Sequence, residues 1–476
     1  MIAPWAKEEV AAVDLGDERL DARLGTLLSA LGSRPNLSIP AACGGRAEME
    51  AAYRFFDNDK VTFEKVLAPH VGCTIERLAA QEVALLVQDT TEIDLTRPEQ
   101  QVEGAGTLDG VRPGFLLHTL HAFTPEGIPL GTVGAEILNR TEGVSQASAQ
   151  NRHARQCTPI EEKESLRWLT GLRQARELAQ QLPGVQCVCV ADSEGDIYEL
   201  FAEPRGEHPV QWLIRACQDR ALVTATGQHL RAAVLATPVR YTVELLVRGR
   251  QAKLGAVETR GRRQNRQTRQ TEVDVRCATL TLRPPWRPDR KLPPVTVNVV
   301  LVQEPHPPEG EPAVEWMLVT TLPIDTTEQV RTIVAYYCVR WGIEILFRTL
   351  KSGCRIERRR FEHVDRLWPC LGVYLIVAWR TLMVCRTGRD CPELDCETIF
   401  EPSEWKAVWV AVHRKPPPTQ APALSEMVHL IARLGGYVER PQSEPGVQTL
   451  WIGMQRMHDL AWAWDSFGPG GHISSP

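Results

Sequence analysis

Two short apolar runs that each lead into an aspartate constrain the fold of this chain more than any other feature. Residues 83–87 (VALLV) are followed by Gln88 and Asp89, and residues 185–190 (VQCVCV) are followed closely by Asp192. Apolar runs of this length with polar residues after them predict buried β-strands. Each predicted strand therefore places a carboxylate at its end.

The segment between these runs predicts the rest of a mixed sheet. Residues 114–123 (GFLLHTLHAF) and 128–138 (IPLGTVGAEIL) flank a Thr-Pro-Glu-Gly turn, which predicts a β-hairpin, and a helix is predicted around 160–181. The order strand, hairpin, helix, strand, with acids on the first and fourth strands, is typical of ribonuclease-H-like folds. The predicted fold class is therefore α/β.

Three predicted domains follow from the same reading. The ribonuclease-H-like catalytic core is predicted at residues 64–385, with a β-rich insertion at about 215–320, because several β-like stretches separate Asp192 from the next helix. Residues 1–63 and 386–476 are predicted to be helical. The last helix carries an apolar stripe that packs either inside the chain or against a partner subunit.

Composition and charge bear on where the chain works. No run of about 18 apolar residues appears, so we expect no membrane partner, and the N-terminus lacks the apolar centre of a signal peptide. The 13 cysteines show no paired spacing, which is typical of reduced thiols in a cytosolic protein. Net charge is −5, yet residues 248–291 hold 13 Lys/Arg against four Asp/Glu, and residues 339–360 hold seven against two. These basic segments are either solvated surface or nucleic-acid contacts.

One carboxylate in the second basic segment lies among cations and an aromatic ring. On a helix of about 3.6 residues per turn, Tyr337, Arg340, Glu344 and Lys351 would fall within roughly 60° of each other. This pattern suits a metal ligand beside bound phosphates, which Arg and Lys contact and to which a tyrosine donates. The alternative is a surface helix with an i,i+4 ion pair, worth about 0.3–0.5 kcal/mol.

Together, the strand-end aspartates and this glutamate predict metal-dependent phosphodiester chemistry. Two divalent ions about 3.5–4 Å apart, held by carboxylates, activate the attacking oxygen and stabilise the leaving oxygen. Hard oxygen ligands favour two Mg²⁺ ions, with Mn²⁺ as a substitute. The predicted metal ligands and catalytic residues are Asp89, Asp192 and Glu344. The competing carboxylates nearby in sequence are Glu92, Asp94 and Asp196.

Several motifs resemble one known family. The spacing Y-x2-R-x3-E-x6-K at 337–351 matches the YREK signature of bacterial DDE transposases. QDTT at Asp89, ADSEGDIY at Asp192, LGDERLDARL and AAYRFF near the N-terminus, and IARLGGY near the C-terminus follow in the family's order. The chain therefore resembles the insertion-sequence-four family, of the Tn-five type. Ser193 departs from the pattern, because the family often has arginine after its second aspartate.

The resemblance implies roles for further residues. The N-terminal helices would bind terminal inverted repeats of double-stranded DNA, and the C-terminal helices would form a homodimer. Trp316, which its strand-like sequence alone would place in a core, would receive a flipped base during hairpin formation. The other residues implied to contact DNA are Arg19, Arg23, Arg54, Arg215, Tyr337, Arg340 and Lys351.

The resemblance also implies a cut-and-paste mechanism in the bacterial cytoplasm, at the nucleoid. Water would free a 3′ hydroxyl at the transposon end, that hydroxyl would form a hairpin with the opposite strand, and a second water would open it. The 3′ ends would then join target DNA. Two alternatives stay open: a catalytically silent DNA-binding regulator, and a ribonuclease-H-like nuclease without the joining step.

Overall fold

A computed structural model describes most of the chain. It covers residues 2–97, 101–140, 157–206, 209–224, 227–247, 268–311, 313–440 and 443–469. The chain forms two compact units. The first consists of Met1–Ala84, Asp89–Gln150 and Trp341–Pro476, and the second of Leu85–Gln88 and Asn151–Arg340.

Helices form the N-terminal part of the first unit, as the sequence predicts. Their bounds are α1 (Pro4–Glu9), α2 (Glu18–Ser33), α3 (Ile39–Cys43), α4 (Arg46–Phe56) and α5 (Phe63–Ala79). Asp17 is the N-cap of α2, and its carboxylate accepts a hydrogen bond from the backbone N–H of Arg19 at 3.0 Å. Leucines 24, 27, 28 and 31 form the buried stripe of α2. The helical prediction for this part of the chain is confirmed.

Three strands follow these helices. They are β1 (Val83–Asp94), β2 (Gly114–Phe123) and β3 (Pro129–Leu138), in the order β3-β2-β1. Strands β2 and β3 belong to the first unit, and β1 has residues in both units. The predicted hairpin is confirmed, since β2 and β3 pair antiparallel from Leu116 opposite Leu138 to Phe123 opposite Pro129. Strand β2 is buried along its whole length, and α5 packs against β3.

The second unit continues the α/β pattern. Its elements are α6 (Leu166–Gln181), β4 (Gln186–Ala191), α7 (Tyr198–Phe201), β5 (Gln211–Arg215), α8 (Leu230–Leu235), β6 (Tyr241–Val247), β7 (Arg269–Leu282), β8 (Val295–Gln303), β9 (Glu315–Thr320) and α9 (Thr327–Val339). Within this unit the strand order is β1-β4-β5-β9-β8-β7-β6, with residues 85–88 contributing β1.

Strand directions in the second unit separate two kinds of pairing. Strand β4 is parallel to β5, whereas β5, β9, β8, β7 and β6 are successive antiparallel neighbours. The predicted β-rich stretch before Glu344 is therefore present, and α8 interrupts it. The basic segment at 248–291 falls partly within it, but residues 248–267 lie outside the described residues.

The C-terminal part of the first unit is helical, as predicted. Its helices are α10 (Trp341–Arg348), α11 (Val364–Asp390), α12 (Pro402–His413), α13 (Leu424–Leu434) and α14 (Val447–Phe467). The predicted apolar stripe of the last helix is buried at Leu450, Met454, Met457 and Ala461. Because α14 packs against α12 and α13, this stripe forms core within the chain.

Helix α11 is the central element of this C-terminal part. Among the described residues it alone is long and apolar enough to cross a membrane by length and composition. However, 83% of that stretch is buried inside the protein, against α2, α5 and the last helices. Such burial is typical of the core helix of a folded domain.

A buried carboxylate stabilises the far edge of the second unit. Glu304, directly after β8, accepts hydrogen bonds from Arg269 at 2.9 Å, the Thr271 hydroxyl at 2.8 Å and the Val314 N–H at 2.9 Å. Burial raises the pKa of Glu304, but the hydrogen bonds to the carboxylate outweigh it and lower the pKa to about 2. The charged form is therefore favoured in the folded protein.

This pKa shift predicts acid sensitivity of the second unit. Because the folded pKa lies below the ordinary 4.5, the stabilisation is complete above pH 4.5 and is lost as pH falls towards 2. The full effect is about 3 kcal/mol. Between pH 7 and pH 3, we expect the free energy of unfolding of Glu304→Gln to fall by about 2 kcal/mol less than that of the parent. Hydrogen exchange of the β7 and β8 amides measures this difference. The exposed Glu309→Gln should behave like the parent, and an equal acid loss in Glu304→Gln would contradict the assignment.

Candidate active site

Five of the residues singled out from the sequence lie together in the second unit. The Trp316 and Tyr337 rings meet edge to face, with centroids 5.5 Å apart at 63°, and the Arg340 guanidinium lies 5.8 Å from the Tyr337 centroid. Arg215 ends β5 and donates to the Glu315 carbonyl at 3.2 Å, beside Trp316. The charges of Asp192 and Arg215 both act on Tyr337. The structure thus gathers an acid, two arginines and two aromatic rings.

Tyr337 holds its proton in this setting. Burial raises the pKa of its hydroxyl, and the negative charge of Asp192 adds to that effect, whereas Arg340 and Arg215 act in the opposite sense. The net shift is upward, so the hydroxyl remains a hydrogen-bond donor at neutral pH. A protonated tyrosine beside two guanidinium groups is suited to contact phosphate oxygens.

Asp192 directly follows β4 and has an open carboxylate. Its Oδ1 accepts a hydrogen bond from the Glu194 N–H at 2.7 Å, which begins a short 3₁₀ turn at Ser193–Gly195. No Arg or Lys among the described residues forms an ion pair with it. The local sequence explains this position, because a β-strand that ends at an aspartate commonly uses that carboxylate to cap the next turn.

The neighbouring competitor, Asp196, serves the fold. Its side chain is fully buried and accepts hydrogen bonds from the Cys217 and Gln218 N–H groups, both at 2.8 Å. Arg220 adds an ion pair at 2.6 Å. These hydrogen bonds and the ion pair use both carboxylate oxygens of Asp196 within the fold.

The other two competitors are also paired. Glu92 and Asp94 each lie 3.0 Å from a nitrogen of Arg112. Hydrogen bonds, including those from Thr96 and Arg112, lower the pKa of Asp94 against the opposing effect of its burial. These carboxylates form a salt-bridge network with Arg112, which is a structural use of the charge.

Asp89 and Glu344 both belong to the first unit. The predicted strand end at Asp89 is wrong, because β1 continues to Asp94 and Asp89 lies within it. The Asp89 Oδ1 accepts a hydrogen bond from the Thr90 N–H at 2.7 Å. Glu344 is partly exposed in the first turn of α10, next to the buried Ile343. Gly342 allows α10 to approach β2 closely, because a Cβ at this position would lie 2.7 Å from the Phe123 ring.

The prediction of one continuous helix from Tyr337 to Lys351 is wrong. Helix α9 ends at Val339, α10 begins at Trp341, and the last residues form a π-helical turn at Thr349–Gly353. The residue between the two helices, Arg340, also ends the second unit. Helical spacing alone therefore does not give the relative positions of Tyr337, Arg340, Glu344 and Lys351. They lie in α9, at the junction, in α10 and in the π-helical turn, respectively.

Lys351 lies in the π-helical turn, a local geometry that is frequent at functional sites. Its Nζ is 3.7 Å from the Glu357 carboxylate, which also accepts a hydrogen bond from the Asp94 N–H at 3.2 Å. Trp451 of α14 packs against the turn at Gly353. The lysine is held near one acid but stays partly exposed.

The three N-terminal arginines lie on the helices where the sequence places them. Arg19 pairs with Asp17 at 3.0 Å and is almost fully exposed, and Arg23 pairs with Glu48 at 2.5 Å. Both line an open cavity of about 550 Å³. Arg54 is exposed on α4 and donates to the Glu50 carbonyl at 3.3 Å. DNA phosphates would compete with carboxylates for the first two.

The predicted metal ligands occupy both units, Asp89 and Glu344 in the first and Asp192 in the second. In the part of the chain that the structure describes, no three His, Cys, Asp or Glu side chains form a preassembled metal-binding group. The roles of these three acids stay a prediction.

Two positions near the site have structural tasks that sequence reasoning missed. Gln88 donates a hydrogen bond to the Cys189 sulfur at 3.2 Å, which joins β1 residues to β4 within the second unit. Gly342, described above, sets the approach of α10 to Phe123. A glycine inside an otherwise strong helical sequence was the available signal for the second, since glycine lowers helix stability unless packing requires it.

Three family models match the chain in sequence order. The model described as Transposase DNA-binding matches residues 2–61. The model described as Transposase DDE domain matches residues 170–369, which include the Asp192 cluster and Glu344. The model described as Transposase Tn5 dimerisation domain matches residues 376–462, which include most of α14. Together the three matches cover the N-terminal helices, the stretch that holds Asp192 and Glu344, and the C-terminal helices, whereas Asp89 lies outside the matched ranges.

Proposed function

The chain belongs to the Tn5-like DDE transposases, and we propose that it moves a DNA element by a cut-and-paste reaction through a hairpin intermediate. It binds DNA, cleaves and joins strands with divalent metal, and forms a homodimer. The observation that carries the finer proposal is the cluster of Asp192, Arg215, Trp316, Tyr337 and Arg340 in the second unit.

Two Mg²⁺ ions, replaceable by Mn²⁺, are the proposed cofactors. The proposed ligands Asp89, Asp192 and Glu344 offer only carboxylate oxygens, which suit these hard cations. Asp192 fits this role because its carboxylate has a backbone N–H partner and no ion pair among the described residues. When bound, such ions supply Lewis-acid activation of the reacting oxygens.

The surrounding side chains hold the DNA at the bond that breaks. We assign the Arg340 guanidinium and the protonated Tyr337 hydroxyl to phosphate oxygens next to that bond, and Lys351 to a further phosphate. Water cleaves one strand and frees a 3′ hydroxyl. This hydroxyl attacks the opposite strand and closes a hairpin, which a second water opens before the 3′ ends attack target DNA. Arg215 contacts the same DNA end.

The terminal regions supply recognition and pairing. Arg19, Arg23 and Arg54 are proposed to contact the terminal inverted repeats, with residues 1–63 as the DNA-binding domain. Residues 64–385 are the proposed catalytic domain, and residues 386–476 hold two copies together on two DNA ends. Because its partner is DNA, the protein is proposed to work in the bacterial cytoplasm at the nucleoid.

Nicking of the element's own ends tests this proposal. We expect purified protein with Mg²⁺ to nick a duplex that carries the inverted repeat found beside the gene, and to join the freed ends to a plasmid. A chelator should stop both steps and leave binding intact, since the phosphate contacts come from protein cations. Binding without nicking under Mg²⁺ and Mn²⁺ would favour the regulator, and nicking without joining would favour the simple nuclease.

The hairpin step has its own test at Trp316. We expect Trp316→Ala to slow hairpin formation by about tenfold or more while the first nick proceeds normally, because an extruded base loses its stacking surface. Trp316→Phe keeps an aromatic face and should recover most of the rate. Denaturing gels of end-labelled DNA separate nicked strands from hairpins. Equal slowing of both steps would show that Trp316 only supports Tyr337 in the fold.

A further inference from the structure

An exposed tryptophan marks a loop that the proposed mechanism does not use. Trp286 lies between β7 and β8, in the sequence RPPWRPDRKLPP at residues 283–294, here named the Trp286 loop. Its side chain is 66% exposed. A single exposed apolar residue is common on protein surfaces, so exposure alone shows nothing. The hydrogen bonds that hold the loop are the further observation that bears on the role of Trp286.

Buried hydrogen bonds fix this loop at both ends and in its middle. The hydroxyl of the buried Tyr198 contacts the Leu282 carbonyl at 3.3 Å and the Pro293 carbonyl at 2.8 Å. Directly after the tryptophan, Arg287 forms two hydrogen bonds with the buried Glu199, at 2.6 and 3.2 Å. The Arg287 guanidinium also donates to the Trp286 carbonyl at 3.2 Å. The protein thus holds an exposed indole on a rigid support, which reduces the entropy lost on binding.

These anchors belong to the segment that follows the proposed catalytic aspartate. Tyr198 and Glu199 begin α7, a few residues after Asp192. The parallel pairing of β4 and β5 fixes the start of this segment in the second unit. The loop is therefore attached to the same stretch of chain that carries Asp192.

The loop combines the indole with positive charge that the protein leaves available. Arg287 forms an ion pair with Glu199, and Arg290 forms ion pairs with Glu161 and Asp289. In contrast, Arg283 and Lys291 are exposed, and neither has an acidic partner among the described residues. In the sequence these unpaired cations flank the aromatic residue, three positions before it and five positions after it. Cations and an exposed aromatic ring in one loop match the chemistry of a nucleic-acid strand, in which phosphates alternate with stacking bases.

We propose that the Trp286 loop is an accessory DNA-binding site that takes a strand outside the double helix. Trp286 stacks on an unpaired base, and Arg283 and Lys291 contact the adjacent phosphates. This inference rests on the proposed function, because a transposase must handle strands that separate at the cleaved end. Stacking is tolerant of base identity, so the site selects unpaired DNA over a particular sequence.

Binding of two fluorescent DNA probes to the full-length dimer tests the site. One probe is a blunt duplex, and the other is the same duplex with a single-stranded oligo(dT) extension. We expect the parent protein to bind the extended probe more tightly than the blunt duplex. Trp286→Ala should lower the affinity for the extended probe by about tenfold and leave the affinity for the blunt duplex unchanged. Trp286→Phe should retain the preference, and Val223→Ala, an exposed apolar change in the same unit, should match the parent.

The charge pair has a separate readout. Arg283→Gln with Lys291→Gln should lower the slope of log affinity against log salt by roughly 1.4 on the single-stranded probe, because two phosphate contacts are lost. Running both probes with the element's end sequence and with an unrelated sequence identifies the source of the strand. If the double variant loses affinity only for the probe with the element's end sequence, the bound strand comes from the cleaved donor end. If it loses affinity for both sequences, target DNA also binds the loop.

Several outcomes would overturn the site. They are a parent protein without preference for the extended probe, a Trp286→Ala protein with full preference, and a Trp286→Ala protein whose dimerisation changes while DNA binding does not. Nicking by the parent and its loss in Glu344→Ala are measured on the same preparations. Normal nicking beside an unchanged Trp286→Ala protein refutes only the loop, whereas failure of the parent to nick refutes the proposed function.

Discussion

Replacement of Glu344 by alanine is expected to remove DNA cleavage while leaving DNA binding and folding intact. Several kcal/mol of transition-state stabilisation are lost with a metal ligand, which corresponds to at least about a thousandfold in rate. Binding should persist, because phosphate contacts by protein cations dominate affinity for DNA. Single-turnover nicking of labelled end DNA measures the first effect, and fluorescence anisotropy measures the second.

The position of Glu344 explains why the fold should tolerate this change. Its side chain is partly exposed in α10, while Ile343, Leu346 and Phe347 are the buried side chains of the helix. Alanine is also a better helix former than glutamate, so the helix itself is not weakened. We expect the free energy of unfolding to change by less than about 0.5 kcal/mol, as for most surface substitutions.

Two further variants separate charge from shape. Glu344→Gln keeps the size of the side chain and removes the charge, so it should be nearly as inactive as alanine. Glu393→Ala removes an exposed glutamate from the same unit and should cleave normally. Full cleavage by Glu344→Ala would remove this residue from the catalytic set, and loss of binding in parallel with cleavage would make its role structural.

The local part of this fold was predictable from the sequence because periodicity and turn chemistry are local. Strands β1 and β4, the hairpin of β2 and β3, and the capping of α2 by Asp17 all follow from residues within one element. The interruption at Arg340 was not predictable in this way. The spacing of the YREK residues is compatible with one helix, and the close packing of Gly342 on Phe123 joins parts of the chain far apart in sequence.

The choice among acids shows the same limit more clearly. The position directly after an apolar strand favours Asp192 over Asp196 as the metal ligand. The physical reason why Asp196 serves the fold instead lies in residues elsewhere in the chain. The partners of Asp196 are the N–H groups of Cys217 and Gln218 and the Arg220 side chain, more than 20 residues away. No pattern within ADSEGDIY reveals that contact. Folding therefore assigns one aspartate to structure and leaves its neighbour available for chemistry.

This division predicts a large loss of stability when Asp196 is replaced by alanine. The change leaves the Arg220 guanidinium buried without its carboxylate and removes the acceptor of two backbone N–H groups. Breaking a buried ion pair by removing one partner costs about 3–5 kcal/mol. We expect chemical denaturation followed by hydrogen exchange to show that loss in the second unit, with β5 amides exchanging much faster.

Matched changes at the neighbouring aspartate make the test specific. Asp192→Ala should lose cleavage, as a metal ligand would, yet lose no more than about 1 kcal/mol of stability from its capping hydrogen bond. Asp196→Asn keeps one acceptor oxygen without the charge, so its stability should fall between the parent and alanine. A stable Asp196→Ala protein that binds DNA without cutting it would reverse the two assignments. It would make Asp196 the catalytic acid, because only a reaction role could then explain its effect.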